Sequence, residues 1–188
     1  MTYYYNGFPQ SEHDEKLNLI NVDQLEEDAK RVIPEGAYYY IASGAENEWT
    51  WRNNIAAFNH YQIVPRALTD MEDPQLDTEF MGMKLKTPVM IAPIACHGIT
   101  HKDAEVATQK GAAAAGALFS SSTYANKSVE DIAAAAPDAP RFFQLYLSKD
   151  WNFNKMVFDA VKKAGYKAIM LTVDALISGY REANFRTE

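Results

Sequence analysis

Four short, mainly apolar runs recur along the second half of the chain, and polar or aromatic side chains follow each of them directly. The runs cover residues 89–92, 117–119, 141–143 and 168–171. The residues at their ends are 28, 24 and 28 positions apart, at Ala92, Ser120, Gln144 and Thr172. One strand, one helix and two short loops occupy a similar length. The spacing therefore predicts four consecutive βα units with parallel strands and right-handed crossovers.

The alternation of strands and helices fits both an open doubly wound sheet and a closed barrel. No glycine-rich dinucleotide fingerprint or P-loop follows a predicted strand, which disfavours an open nucleotide-binding sheet. We therefore predict an α/β fold of the (β/α)8 TIM-barrel family. A complete barrel has eight units and about 250 residues, so the 188 residues are expected to hold a helical segment and about the first four units. A truncated half-barrel is the plainer interpretation, and a half-barrel that dimerises is the alternative.

The chain is predicted to form one partial domain over residues 1–188, in four successive parts. Residues 1–20 are a loose arm and residues 21–64 a helical prelude. Residues 65–88 form a crossing segment and a hairpin that turns at Gly82. Residues 89–188 are the first half of the barrel.

Several local signals predict where helices begin, end and pack. Capping patterns predict helix starts at Asn21, at the pair Thr100/Asp103 and at the pair Ser128/Asp131. Gly44 and Gly165 are predicted to end two helices. In the prelude, a set at helical spacing is predicted to form the inner face of a third helix: Trp51, Ile55 and Phe58.

Composition narrows the class of protein and its compartment. The formal charge of −7, with scattered basic residues, argues against a nucleic-acid-binding surface. A single cysteine, Cys96, permits no intrachain disulfide and favours a reducing compartment. The N-terminus lacks the pattern of a signal peptide, and no apolar run reaches the length of a membrane span. We therefore predict a cytoplasmic protein that binds neither nucleic acid nor membrane.

Taken singly, the candidate functional residues have ordinary structural explanations. Thr172 and Asp174 could cap a helix, and Gln144 could be a half-buried residue at a strand end. Arg181 alone would be a surface charge. His97 has no second ligand at a suitable spacing, so no metal site is predicted. What favours function is that such residues cluster at strand ends, where parallel sheets and barrels place their active sites.

Four motifs, in a fixed order, resemble those of the FMN-dependent α-hydroxy-acid oxidases and dehydrogenases. They lie at residues 38–50 (YYYIASGAENEWT), 92–95 (APIA), 143–146 (FQLY) and 171–174 (LTVD). The resemblance extends over roughly residues 22–181. Within the family, residues 95–98 (ACHG) and Tyr124 are more similar to bacterial L-lactate oxidases than to glycolate oxidases.

The resemblance implies a cofactor, a reaction and a role for each matching residue. The family transfers two electrons from the α-carbon of a 2-hydroxy acid to FMN, and in oxidases O2 then takes them to give H2O2. The backbone of Pro93, Ile94 and Ala95 would lie along one flavin face. Hydrogen bonds to the pyrimidine edge would come from Ser122, Gln144 and Thr172. The substrate would be held by Tyr40, Tyr146 and Arg181, in a pocket shaped by Tyr124. Tyr146 and Asp174 would be catalytic, with Asp174 pairing with the family's catalytic histidine.

The resemblance also shows what these 188 residues do not contain. The catalytic histidine, a lysine at the flavin, a second arginine and the phosphate-binding loops lie beyond residue 188 in the family. None of the histidines here matches that position: His13, His60, His97 and His101. We therefore predict that this chain alone lacks catalysis and binds FMN weakly or not at all.

Three functional hypotheses follow from the sequence. The first is the N-terminal half of an enzyme that oxidises an L-2-hydroxy acid, with L-lactate as the expected substrate and a homotetramer as the assembly that the resemblance implies. The second is a non-catalytic half-barrel or scaffold. The third is an FMN-dependent 2-hydroxy-acid dehydrogenase of other specificity.

Overall fold

A computed structural model describes residues 20–69, 72–175 and 177–186 of the chain. Most of the predicted loose arm lies outside these residues. The prelude contains helices α1 (Val22–Val32), α2 (Glu35–Ala42) and α3 (Trp49–Ala56), and a 3-10 helix at Ala57–His60. The predicted cap of α1 is confirmed, because the Asn21 side chain accepts a hydrogen bond from the Gln24 backbone N–H at 2.8 Å.

One prediction about the prelude is confirmed and one is wrong. Helix α2 ends at Ala42 with Ser43 as its extended C-cap, and Gly44 directly follows the cap, as predicted. The predicted inner face of α3 is exposed, with Ile55 at 63% and Phe58 at 79% of full exposure. Helical spacing shows only that side chains share a face; burial also requires a neighbouring element, and none in the described residues covers this face.

A short antiparallel hairpin precedes the main sheet. Its strands are β1 (Thr78–Phe80) and β2 (Met83–Leu85). The turn lies at Met81 and Gly82, both with positive φ, at 49° and 75°. Positive φ at both central residues is what a tight hairpin with the natural strand twist requires, and glycine adopts it without strain. The hairpin lies where the sequence predicts it.

The main sheet consists of four parallel strands separated by helices. The strands are β3 (Met90–Ile91), β4 (Leu118–Ser121), β5 (Arg141–Leu145) and β6 (Ala168–Leu171), in the spatial order β3-β4-β5-β6. The helices between them are α4 (Ala104–Ala115), α5 (Val129–Ala135) and α6 (Trp151–Lys163), and a short helix α7 (Glu182–Phe185) follows. This alternation confirms the predicted α/β class with parallel βα units.

The helix signals in this part give mixed results. Ser128 caps α5 as predicted, accepting from the Asp131 backbone N–H at 3.0 Å. Gly165, at φ 77°, follows the end of α6 as predicted. The predicted start at Thr100 is wrong: its hydroxyl donates to the His97 carbonyl at 2.7 Å, closing a 3-10 helix at His97–Ile99. This local bond competes with the capping role.

Most of the core lies between the sheet and its helices, while Leu118 and Phe142 pack with Leu85 of the hairpin. Its most buried large side chains belong to β4, α5 and β5, namely Leu118, Phe119, Ile132 and Leu145. Arg141 is also buried, and it donates to four backbone carbonyls at the ends of α5 and α6: those of Ala136, Pro137, Ala139 and Ala164. Its guanidinium lies 5.5 Å from the centre of the Tyr166 ring. Within the described residues, no helix is long and apolar enough to cross a membrane.

Tyr166 makes stability sensitive to alkaline pH. Burial raises the pKa of its phenol from 10.0 to about 12. The folded state therefore holds this proton more tightly than the unfolded state. The resulting stabilisation, about 2–3 kcal/mol, is complete below pH 10 and disappears as the pH rises towards 12. In urea unfolding at pH 9–12, we expect Tyr166→Phe to remove this part of the fall in the free energy of unfolding. Tyr61→Phe, at an exposed tyrosine, should retain it. If the free energy of unfolding fell equally steeply with pH in the two variants, the assignment to Tyr166 would be contradicted.

Candidate functional site

Three predicted cofactor-binding side chains meet at the carboxyl end of the main sheet. Gln144 lies one residue before the end of β5, while Ser122 and Thr172 follow β4 and β6. The Gln144 amide donates to the Thr172 hydroxyl at 2.7 Å, and its oxygen accepts from the Ser122 hydroxyl at 3.4 Å. These contacts form one continuous hydrogen-bonded chain, called here the Gln144 chain, across three adjacent strands.

Thr123 supports this chain, and the sequence reasoning missed it. Its backbone N–H donates to the Gln144 amide oxygen at 3.2 Å, and its hydroxyl donates to the Gln144 carbonyl at 2.7 Å. The same hydroxyl accepts from the backbone N–H of Tyr146 at 3.1 Å. The signal was the polar run 120–124 itself, in which Thr123 follows Ser122. Gln144 is only 3% exposed, so its orientation is fixed by these bonds.

A cleft of about 1060 Å³ lies beside the Gln144 chain. It brings together all four predicted substrate residues, which come from four separate parts of the chain. The predicted residues that line it are Tyr40, Ala95, Tyr124, Tyr146, Thr172 and Arg181. Its wall also includes apolar side chains that the sequence did not single out, among them Leu147 and Phe185.

Arg181 and Tyr40 form one side of the cleft. The Arg181 guanidinium donates to the Tyr40 carbonyl at 2.7 Å and lies 4.8 Å from the centre of the Tyr40 ring. Stacking and the hydrogen bond together orient the planar cation. The residues are 141 positions apart in sequence, so the contact joins the prelude to the segment after β6.

Tyr124 and Tyr146 form another part of the wall. Their ring centres are 5.5 Å apart with an interplanar angle of 40°. Tyr124 follows β4 and Tyr146 follows β5, so pairing of the two strands brings the rings together. Paired aromatic rings of this kind present rigid apolar surface with a hydroxyl at the edge.

The remaining predicted residues lie outside the cleft wall. Ser122 and Gln144 are buried behind it. Gln144 contacts the wall residue Thr172, and the Ser122 hydroxyl accepts from the Tyr124 backbone N–H at 3.1 Å. Pro93 and Ile94 precede Ala95 in the loop after β3, and Asp174 is exposed two residues after Thr172.

His97 has the structural role that the sequence favours for it. Its Nδ1 lies 2.9 Å from the Thr108 hydroxyl, and its ring packs edge-on to Phe119. Desolvation lowers the pKa of His97, against the charge of Glu105, which raises it. Within the described ranges, no three His, Cys, Asp or Glu residues are placed to hold a metal ion.

Known proteins resemble this chain in both sequence and structure. The profile of a family described as FMN-dependent dehydrogenase matches residues 29–188. An L-lactate oxidase of Lactobacillus jensenii is 75% identical over 187 residues, which is 100% of this chain and 46% of that protein. A glycolate oxidase of Spinacia oleracea is 40% identical over 90% of this chain and 46% of its own length.

A solved structure shows the same arrangement in three dimensions. A crystal structure described as a lactate oxidase of Pediococcus acidilactici superposes with a TM-score of 0.90 at 50% identity, covering 98% of this chain and 51% of that one. The chain thus spans about half the length of the relatives that it matches.

Proposed function

Because the chain belongs to the FMN-dependent dehydrogenase family, we propose that it carries one half of the cofactor and substrate site of an enzyme that oxidises an L-2-hydroxy acid. The fold prediction is confirmed as well, since the structural relatives are hydroxy-acid oxidases and the four parallel βα units correspond to about half of a TIM barrel. The observation that carries the proposal is the position of the Gln144 chain directly beside the cleft with Arg181.

The chemistry of the Gln144 chain fits the pyrimidine edge of FMN. That edge alternates carbonyl acceptors with an N–H donor, and an amide and two hydroxyls can each donate or accept. Ser122, Gln144 and Thr172 would hold it, with the backbone of residues 93–95 against one face of the ring. FMN bound there would supply the acceptor for two electrons from the substrate and their route to O2.

The cleft residues suit a small 2-hydroxy acid. Arg181 offers a planar, permanently charged fork for the carboxylate, and its contacts with Tyr40 keep the fork oriented. Tyr146 would donate a hydrogen bond to the bound acid, and Tyr124 would limit the size of its side chain. Asp174 would orient a histidine that accepts the hydroxyl proton, a residue that the matched family supplies outside these 188 positions.

L-Lactate is the proposed substrate, converted with O2 to pyruvate and H2O2. Support comes from relatives named L-lactate oxidase at 75%, 53% and 38% identity. The tetrameric assembly and the cytoplasmic location stay predictions.

Complementation tests the proposal. The chain is co-expressed with the C-terminal part of the Lactobacillus jensenii relative that lies beyond the aligned region, and the product is called the assembled barrel. We expect it to bind FMN, to lose its yellow colour with L-lactate under anaerobic conditions and to form H2O2 in air. Each part alone should bind FMN weakly or not at all and should show neither bleaching nor H2O2 formation.

The controls separate the competing hypotheses. D-Lactate should leave the flavin oxidised. Bleaching by a larger 2-hydroxy acid but not by L-lactate would contradict the substrate, and bleaching without H2O2 would indicate a dehydrogenase. A stable, colourless dimer of the chain that accepts no second half would support the non-catalytic half-barrel.

A further inference from the structure

Glu105 is a fully buried carboxylate outside the cleft. It is the second residue of α4 and is 0% exposed. One carboxylate oxygen accepts from the backbone N–H groups of His97 at 3.0 Å and Asn126 at 3.1 Å, and the other accepts from that of Lys127 at 3.1 Å. A buried charge is tolerated where hydrogen bonds replace its hydration, and the N-terminus of a helix also favours a negative charge.

These three bonds join two loops that both carry site residues. The first loop, residues 92–103, follows β3 and contains Ala95. The second loop, residues 122–128, follows β4 and contains Ser122 and Tyr124. Glu105 accepts from both loops through the same side chain, so its position determines their separation.

Further contacts hold the same junction. The Asn126 side-chain oxygen accepts from the Gly98 backbone N–H at 2.7 Å. A Cβ atom at Gly98 would lie 2.8 Å from that oxygen, so the close approach requires glycine. The Cys96 backbone N–H donates to the Tyr124 carbonyl at 3.0 Å. The residues that follow Ala95 are thus hydrogen-bonded to Tyr124 and Asn126 of the second loop.

We propose that Glu105 is a positioning residue for the site, whose carboxylate fixes the first loop against the second and so sets the distance between Ala95 and Tyr124 in the cleft wall. This inference rests on the proposed function only for the identity of the ligands. Both loops leave adjacent parallel strands, and strand pairing ends before either site residue is reached. Beyond that point, the register comes from the buried carboxylate, the Asn126 amide and the single backbone bond from Cys96 to Tyr124.

Cys96 provides a local probe that needs no cofactor. It is the single cysteine in the sequence, lies next to Ala95, is 2% exposed and has its sulfur 3.5 Å from the Tyr124 carbonyl. Burial, with a smaller contribution from the Glu105 charge, raises the pKa of this thiol to about 11. Its reaction with a thiol reagent therefore reports opening of the junction.

Two variants and a matched control form the first arm of the test. Glu105→Gln replaces one acceptor oxygen by an N–H2 group that faces backbone donors. Asn126→Ala removes the Gly98 bond and leaves the Glu105 charge in place. Glu130→Gln alters the exposed glutamate at the same second position of α5. At pH 8, Ellman's reagent should label Cys96 about tenfold faster in the first two variants and at the wild-type rate in the third. Faster labelling in Asn126→Ala cannot arise from loss of the carboxylate charge.

The second arm measures the site in the assembled barrel. At a temperature where circular dichroism shows every variant folded, Glu105→Gln and Asn126→Ala should bind FMN about tenfold more weakly, with Glu130→Gln unchanged. A folded variant that labels at the wild-type rate, or one that labels faster but binds FMN normally, would overturn the proposal. If Glu105→Gln does not fold, Asn126→Ala decides the question. A wild-type assembly that binds no FMN contradicts the proposed function, and the thiol rates then decide alone whether Glu105 holds the two loops.

Discussion

Gln144→Leu is expected to weaken FMN binding by the assembled barrel at least about 100-fold and to destabilise the chain by about 3 kcal/mol or more. Leucine has a similar side-chain volume but removes every side-chain hydrogen bond of the Gln144 chain. The Thr123 N–H and the Thr172 hydroxyl then lose this partner, and the Ser122 hydroxyl keeps only the bond that it accepts from the Tyr124 backbone N–H. Each buried polar group left without a hydrogen bond costs about 1–3 kcal/mol. FMN titration and urea unfolding measure the two effects.

Gln109→Leu is the matched control for this variant. Gln109 is also fully buried, but neither polar atom of its side chain has a hydrogen-bond partner among the described residues. The same substitution there removes two unpaired polar atoms, which should be neutral or stabilising. Equal destabilisation by the two substitutions would show that side-chain shape, and not the hydrogen-bonded chain, accounts for the effect at Gln144.

Arg181→Gln should lower kcat/KM for L-lactate in the assembled barrel by about 100- to 1000-fold. The substitution removes the positive charge and the bidentate fork, together with the stacking that orients it over Tyr40. Because the carboxylate is held in both the ground state and the transition state, most of the loss should appear as a higher KM. Steady-state peroxide formation over a range of L-lactate concentrations measures it.

Arg186→Gln controls for a general change in charge. Arg186 is exposed and pairs with Glu182 of the short helix α7, and neither of the two lines the cleft. The Arg186→Gln substitution should leave KM for L-lactate unchanged. A fall in kcat with an unchanged KM in Arg181→Gln would contradict a role in holding the carboxylate.

The parts of the fold that could be predicted from the sequence are those whose signal is local. Residues 168–171 are continuously apolar and form β6 with the predicted bounds. Asn21 and Ser128 cap their helices through side chains three positions from their partners. At Thr100 the same pattern failed, because a carbonyl three residues earlier competed for the hydroxyl.

The residues of the candidate site also differ in whether a local signal in the sequence could locate them. Residues next to strand ends, such as Gln144 and Thr172, could be located because parallel strands deliver their ends to one edge. Assigning roles to Tyr40 and Arg181 required the family resemblance, since no local pattern brings together residues 141 positions apart. Glu105 was missed because its partners are backbone N–H groups of two loops, and any residue type can supply those.

The strands of the main sheet lie side by side in the order in which they occur along the chain. As the polypeptide leaves the ribosome, each strand can therefore pair with the strand synthesised just before it. No strand has to remain unpaired until a later one is synthesised. Domains fold as units from the N-terminal side during translation, and this topology lets the sheet grow one βα unit at a time. Stalled nascent chains ending after α5 or after α6 should accordingly already protect β4 from proteolysis.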